Sequence, residues 1–172
     1  MISTLQRANA LSDKEFVAKF GSLYERSSWV AAGASKERPF GSVDEMHAAF
    51  ERVVAAASDR RRLALIEAHP DLAGKAAIAG ELTEESAGEQ ATAGLDRLSP
   101  EEFKAFTRIN RAYREKFSMP MIVCVRRHTK WSILRQAEKR LSSTKDAEVR
   151  VALGEIAKIT RLRLNDIIEE QG

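Results

Sequence analysis

Only one run in this 172-residue chain has the apolar, β-branched character of a strand: Met121, Ile122, Val123, Cys124 and Val125. A strand with nothing to pair against cannot build a sheet. Its amide and carbonyl groups must therefore find side chains or a ligand. The rest of the chain carries helical punctuation. Ser12 with Glu15 and Ser42 with Glu45 are capping-box pairs, and Ser99-Pro100-Glu101-Glu102 joins a cap, a first-turn proline and a third-position carboxylate. No repeat, linker or low-complexity stretch interrupts the pattern. The expected fold is all-α: a single-domain helical bundle of about eight helices, with one short extended segment at 121–125.

Periodicity supplies the faces of these helices. The first is expected to bury Phe16, Val17, Phe20, Leu23 and Tyr24, with Gly21 weakening its continuity. Residues 33–42, rich in Gly, Pro and Ser, predict a loop. Met46, Phe50, Val53 and Val54 form the next stripe, with His47 expected on the surface. A short helix over Arg60–Ala68 leads to His69, Asp71–Gly80 reads as a turn with a short helix, and Glu84–Arg97 as a further helix. The helix opened at Ser99 should bury Phe103, Phe106, Ile109, Asn110, Tyr113 and Phe117. Helices over Trp131–Leu141 and along Ala147, Val151, Ile156, Ile159, Leu162 and Ile167 complete the chain.

The chemistry-bearing residues gather in one stretch, LALIEAHPDLAGKAAIAGELTEESAGEQATAGL (63–95). Pro70 lacks an N–H and pushes the preceding residue out of helical conformation, so a helix should end near His69. An imidazole at a helix end is free to face a cleft. Ser86, Glu89 and Gln90 stand at i, i+3 and i+4, which places a hydroxyl, a carboxylate and an amide on one helix face. A histidine opposite such a triplet could do acid–base chemistry. The same residues admit plainer roles: a surface or core histidine, and a capping box in Ser86–Glu89. Thr83 and Glu84 could instead start that helix, leaving Ser86 inside it. Gly74 fits either a close backbone approach or a simple turn.

At 44% hydrophobic residues, with nine glycines and four prolines, the chain has the composition of a globular domain with its own core. Its single cysteine, Cys124, excludes an internal disulfide and a cysteine-based metal site, and is expected as a buried, inert thiol. No leader-like segment opens the sequence, no apolar run approaches membrane-crossing length, and the closing EEQG is not a Ser-Lys-Leu peroxisomal address. A cytoplasmic setting is expected.

The net charge is +3 and the sequence pI about 9.1. Arg108, Arg111, Arg114, Arg126, Arg127, Arg135 and Arg140 concentrate the basic character between 104 and 163. One alternative is thus a non-catalytic basic helical module that binds nucleic acid or a protein partner. It lacks an aromatic platform or a binding motif, and a solvated helix face or a field attracting a small anion accounts for the same charges. A metal site on His69 and Glu89 lacks the spacing of a third and fourth ligand.

The segments EAHPDLAG (67–74) and ESAGEQATAGLD (85–96), followed by NRAYREKF (110–117), MIVCV (121–125) and LGEIAKITRLRL (153–164), resemble the OHCU decarboxylase family. OHCU is 2-oxo-4-hydroxy-4-carboxy-5-ureidoimidazoline. The resemblance runs in order along nearly the whole chain. It implies decarboxylation of this urate-derived compound to S-allantoin, without metal or organic cofactor, by a homodimer acting on a small molecule, with no nucleic acid or membrane partner. By resemblance His69 is the acid–base group, and Glu89 partners it or polarises the substrate hydroxyl. Pro70, Ser86, Gln90 and the backbone of Met121, Ile122, Val123, Cys124 and Val125 form the substrate-binding set. An arginine of the last helix steadies the carboxylate; Arg163 fits that position, with Arg161 the alternative. The chain departs from the family pattern in KFSMPM (116–121), where KFGFPF is common, in Arg127 for a glycine, and in LSST (141–144) for a Gly-Asn turn.

Overall fold

Side-chain caps set the helix starts, at Ser12, Ser42 and Ser99 as the sequence predicts. Ser12, Ser42, Ser99 and Thr129 each accept a hydrogen bond from the amide three residues on, satisfying a donor the helix leaves open. Glu15 and Glu102 return the bond and complete capping boxes, whereas Glu45 turns to the amide of Gly41 at 2.7 Å. The computed structural model describes residues 4–169. Among them the protein is all-α, with ten α-helices, three short 3-10 segments and no strand. The closing Glu-Gln-Gly lies outside the described residues.

The chain divides into two compact units, one holding the residues up to Leu65 and those from Ala157 onward, the other Ile66–Ile156. The first contains α1 (Thr4–Ala10), α2 (Asp13–Phe20), α3 (Trp29–Ala34), α4 (Val43–Ala56), most of α5 (Asp59–Glu67) and the end of α10 (Lys145–Glu169). Its core is aromatic: Phe16 lies 4.7 Å from Phe20 and 6.1 Å from Phe50, and Tyr24 stacks on Phe50 at 6.0 Å. The packing of α3 on α4 explains Gly33, where a Cβ would fall 2.7 Å from Val53 Cγ1. The sequence predicted a loop from 33 and missed α3, because a six-residue helix leaves too short a period to read. At Gly21 the second helix gives way to a 3-10 turn, Gly21–Leu23.

The second unit contains α6 (Lys75–Ile78), α7 (Glu84–Thr92), α8 (Pro100–Phe117), α9 (Lys130–Arg140) and the start of α10. The buried face of α8 is Phe106, Ile109, Asn110, Tyr113 and Phe117; Phe103, expected inside, is exposed. Helix α8 ends at Ser118, whose backbone takes the left-handed conformation (φ 56°) that glycine favours. The segment 121–125 follows, buried throughout and unpaired as a strand, and its last residue begins a 3-10 turn, Val125–Arg127.

Two expectations fail for one reason. His47 is buried, not on the surface, with its Nε2 3.1 Å from Thr160 Oγ1. The inner face of α10 is Glu148, Ala152, Glu155, Ile156, Ile159, Thr160, Arg163 and Leu164, whereas Val151 is exposed. Polar side chains with buried partners occupy core positions, so hydrophobic periodicity points to a neighbouring face.

Candidate active site

Helix α5 stops at Glu67, and the His69 amide closes the last turn by donating to Ile66 O at 3.1 Å. Pro70 then forbids a further helical turn. His69 is buried, at 6% exposure. Thr83 caps α7, its Oγ accepting from the Ser86 amide at 3.3 Å. The capping role thus falls to Thr83, and Ser86 lies inside the helix with Glu89 and Gln90 one turn on. Ser86 and Gln90 are buried and Glu89 is half-buried.

Gln90 ties this helix to the turn that His69 begins. Its Oε1 accepts from the Ala73 amide at 2.9 Å, and its Nε2 donates to Asp71 O at 3.4 Å. From α8, Asn110 Nδ2 donates to Leu72 O at 2.8 Å, and Arg114 Nε reaches both Asp71 carboxylate oxygens at 3.1 Å. Gly74 closes the turn tightly, since a Cβ there would lie 2.9 Å from Asp71 Cβ.

Helix α7 also packs on the 3-10 turn Val125–Arg127. Burial pushes the Cys124 thiol up; Arg127 and Arg126 oppose this, while the Glu155 and Glu89 carboxylates add to it. Cys124 is therefore a poor nucleophile, as its apolar setting predicts, and Glu89 lies near enough for the extended segment to feel its charge. One unit thus gathers the His69–Gly74 turn, the Ser86–Glu89–Gln90 face and the segment 121–125. The adjoining apolar cavity of about 720 Å³, lined by Ala73, Ala77, Ala87, Gln90, Ala91 and Leu95 among others, includes none of His69, Ser86 and Glu89.

Residues 9–165 match the family model described as OHCU decarboxylase. The 2-oxo-4-hydroxy-4-carboxy-5-ureidoimidazoline decarboxylase of Haloferax volcanii is 42% identical over 161 residues, spanning 94% of this chain and 94% of its own length. The chain belongs to the OHCU decarboxylase family. The crystal structure of an (S)-allantoin synthase superposes with a TM-score of 0.77 at 27% identity, over 95% of this chain and 54% of that one. A crystal structure of an OHCU decarboxylase in the presence of (S)-allantoin has the same fold, with a TM-score of 0.68 at 21% identity over 92% of this chain and 99% of that one.

The OHCU decarboxylase pattern gave no warning of what holds the extended segment. Ile122 O accepts from Arg140 Nη1 at 2.6 Å, Arg140 Nε donates to Glu148 Oε2 at 2.8 Å, and Tyr113 OH donates to the same oxygen at 2.5 Å. All three side chains are buried, so Arg140 is not part of a solvated basic face. Their signal in the sequence was a glutamate in register with Ala152 and Ile156. Of the other basic residues, Arg108 pairs with Glu138, Arg111 with Glu115 and Arg114 with Asp71. Arg163, in the other unit, is buried and bonds Glu25 Oε1 at 3.1 Å and Leu23 O at 3.3 Å, while Arg161 pairs with Asp44 at 2.6 Å. Met119 and Met121 are buried where the family commonly has aromatics, and Arg127 is exposed. Among the described residues no group of three or more His, Cys, Asp and Glu side chains is placed to hold a metal ion.

Proposed function

We propose that this enzyme decarboxylates 2-oxo-4-hydroxy-4-carboxy-5-ureidoimidazoline to S-allantoin in urate degradation, and that the chain acts as one OHCU decarboxylase-like domain. The observation that carries the site is the convergence of a buried helix-end histidine, the polar face of α7 and a buried segment of irregular backbone within one unit.

The chemistry asks little of the protein beyond placement. The carboxylate leaves from a carbon next to a C=N bond, so the electron pair of the breaking C–C bond passes into the substrate's own imine and no added electron sink is required. The protein must orient the ring, polarise the hydroxyl and imine, and deliver one proton to a single face. His69 is the proton-transfer group. Glu89 partners it or polarises the hydroxyl. Ser86 and Gln90, with Pro70 at the turn, face the ureido and ring amides, and the backbone of 121–125 pairs with the ring edge. By the family resemblance, Arg163 is the arginine that steadies the leaving carboxylate. No cofactor is assigned. The protein is expected to act in the cytoplasm as a homodimer on a small molecule, with neither nucleic acid nor membrane as partner; no helix among the described residues is long and apolar enough to cross a membrane.

The test generates the unstable substrate in situ from urate and follows the chirality of the allantoin formed. The wild-type protein should give S-allantoin in excess. Folded His69→Asn should return the racemate at the uncatalysed rate, a loss of at least about 10²-fold. Near-normal turnover in folded His69→Asn would reject the assignment of His69.

A further inference from the structure

The turn after His69 holds a backbone conformation that its own residues do not favour. Ala73 sits at φ 51°, in the left-handed region where a Cβ crowds the following carbonyl. Neither glycine nor asparagine occupies the position, so something outside the turn must stabilise it. Two side-chain amides bracket Ala73. Asn110 Nδ2 donates to the carbonyl of the peptide before it, at Leu72 O, 2.8 Å, and Gln90 Oε1 accepts from Ala73's own amide at 2.9 Å. Both ends of one peptide group are thereby fixed, by α8 on one side and α7 on the other. Asn110 is buried at 9% exposure; its neighbour Ile109 has no side-chain donor, and the Tyr113 hydroxyl one turn on is bonded to Glu148. The Arg114–Asp71 pair, about half exposed at the arginine, contributes less to the clamp.

We propose that Asn110 is a positioning residue for the decarboxylation: by clamping the Leu72–Ala73 peptide against Gln90, it fixes the strained turn and so fixes the imidazole of His69, four residues before Ala73. The proposal rests on the reading of His69 as the proton-transfer group. It accounts for a buried, non-catalytic amide among the apolar side chains of the core face of α8. The energy of the hydrogen bond goes into holding a conformation, and its loss leaves a buried carbonyl without its donor and a turn free to relax.

Asn110→Leu removes the donor and keeps an apolar side chain of similar size. Two measurements are made on it. The first is the imidazole ¹⁵N spectrum of the ligand-free protein, with the His69 signals identified by their loss in His69→Asn. The second is steady-state decarboxylation. Asn110→Leu should shift or broaden the His69 ring signals and lower kcat by about tenfold, with KM within about threefold, as expected when a reacting group is misplaced and binding is kept. Ala73→Gly relieves the unfavourable conformation, so Asn110→Leu/Ala73→Gly should recover at least about threefold in kcat over Asn110→Leu, a coupling between neighbours that a purely structural role lacks. If Asn110→Leu does not fold, Asn110→Ala, smaller and equally without a donor, carries the same comparison. A folded variant of lower Tm with unchanged His69 signals and kcat within about twofold of wild type overturns the proposal. So does a loss of kcat that Ala73→Gly leaves untouched. If the wild-type protein itself fails to decarboxylate the ureidoimidazoline, the functional reading falls, and the ring signals alone decide whether Asn110 positions His69.

Discussion

Glu89 is the residue whose chemistry and setting differ most along α7. Ser86 and Gln90, on the same face, are buried, while Glu89 is half-buried, its charge opposing ionisation of the Cys124 thiol. A carboxylate so placed keeps its charge partly screened by solvent, yet close to the extended segment proposed to hold the ring. Glu89→Gln preserves shape and hydrogen-bonding reach and removes the charge. If Glu89 tunes His69 or polarises the substrate hydroxyl, kcat should drop by about 10²-fold with Tm little changed. A fall smaller than about threefold would return Glu89 to a helix-surface role. At this scale the sequence was informative wherever spacing along one helix decides orientation. Ser86, Glu89 and Gln90 share a face because i, i+3 and i+4 must. The partners of Gln90 were not legible, since its bonds to Ala73 and Asp71 cross seventeen and nineteen residues. Nothing local in a sequence records such a distance.

Among the elements, α8 starts where its cap and proline say it should and ends against a local preference. Ser118 occupies the left-handed position after the helix, donating its amide to Arg114 O at 2.8 Å. A Cβ in that conformation costs about 1 kcal/mol or more, partly offset by the smaller backbone entropy of serine in the unfolded chain. Ser118→Gly should therefore stabilise the protein by roughly 0.5–1 kcal/mol, raising Tm by about 2 °C in a chain of this size. Calorimetry reads this directly, and a lower Tm would mean that the serine side chain contributes more than its backbone costs. Helix α10 shows the opposite case, a long element whose existence is plain and whose inner face is not. Glu148, Glu155, Thr160 and Arg163 lie inside, so a stripe drawn from apolar residues alone selected Val151 in error. The two-residue step between Arg161 and Arg163 still carried information. About 200° of rotation separates them, and Arg163 is buried against Glu25 while Arg161 pairs with Asp44.

For the molecule as a whole, the same buried polar groups make stability depend on pH. His47 lies inside the first unit, with Nε2 3.1 Å from Thr160 Oγ1, which in turn bonds Tyr24 OH at 3.4 Å. Burial holds its pKa below the ordinary histidine value; Glu51, the Ala157 backbone and Asp44 pull it up, and Arg161 pushes it further down. A base with a depressed folded pKa binds fewer protons folded than unfolded, so stability rises with pH across the interval between the two values. Above the unfolded value of about 6.5 both states are neutral at this site, and its stabilising contribution is fully present. As pH falls below about 6.5 the unfolded chain takes up a proton that the folded one resists. The contribution is then lost progressively until the folded pKa is passed. His47→Gln keeps a hydrogen-bonding group opposite Thr160 and removes the titration. Between pH 7.5 and 5.0 the wild-type Tm should fall further than that of His47→Gln, with the difference opening below about pH 6.5. Parallel Tm curves for the two proteins would mean that His47 titrates alike in the folded and unfolded chains, and that its burial has no consequence for acid stability.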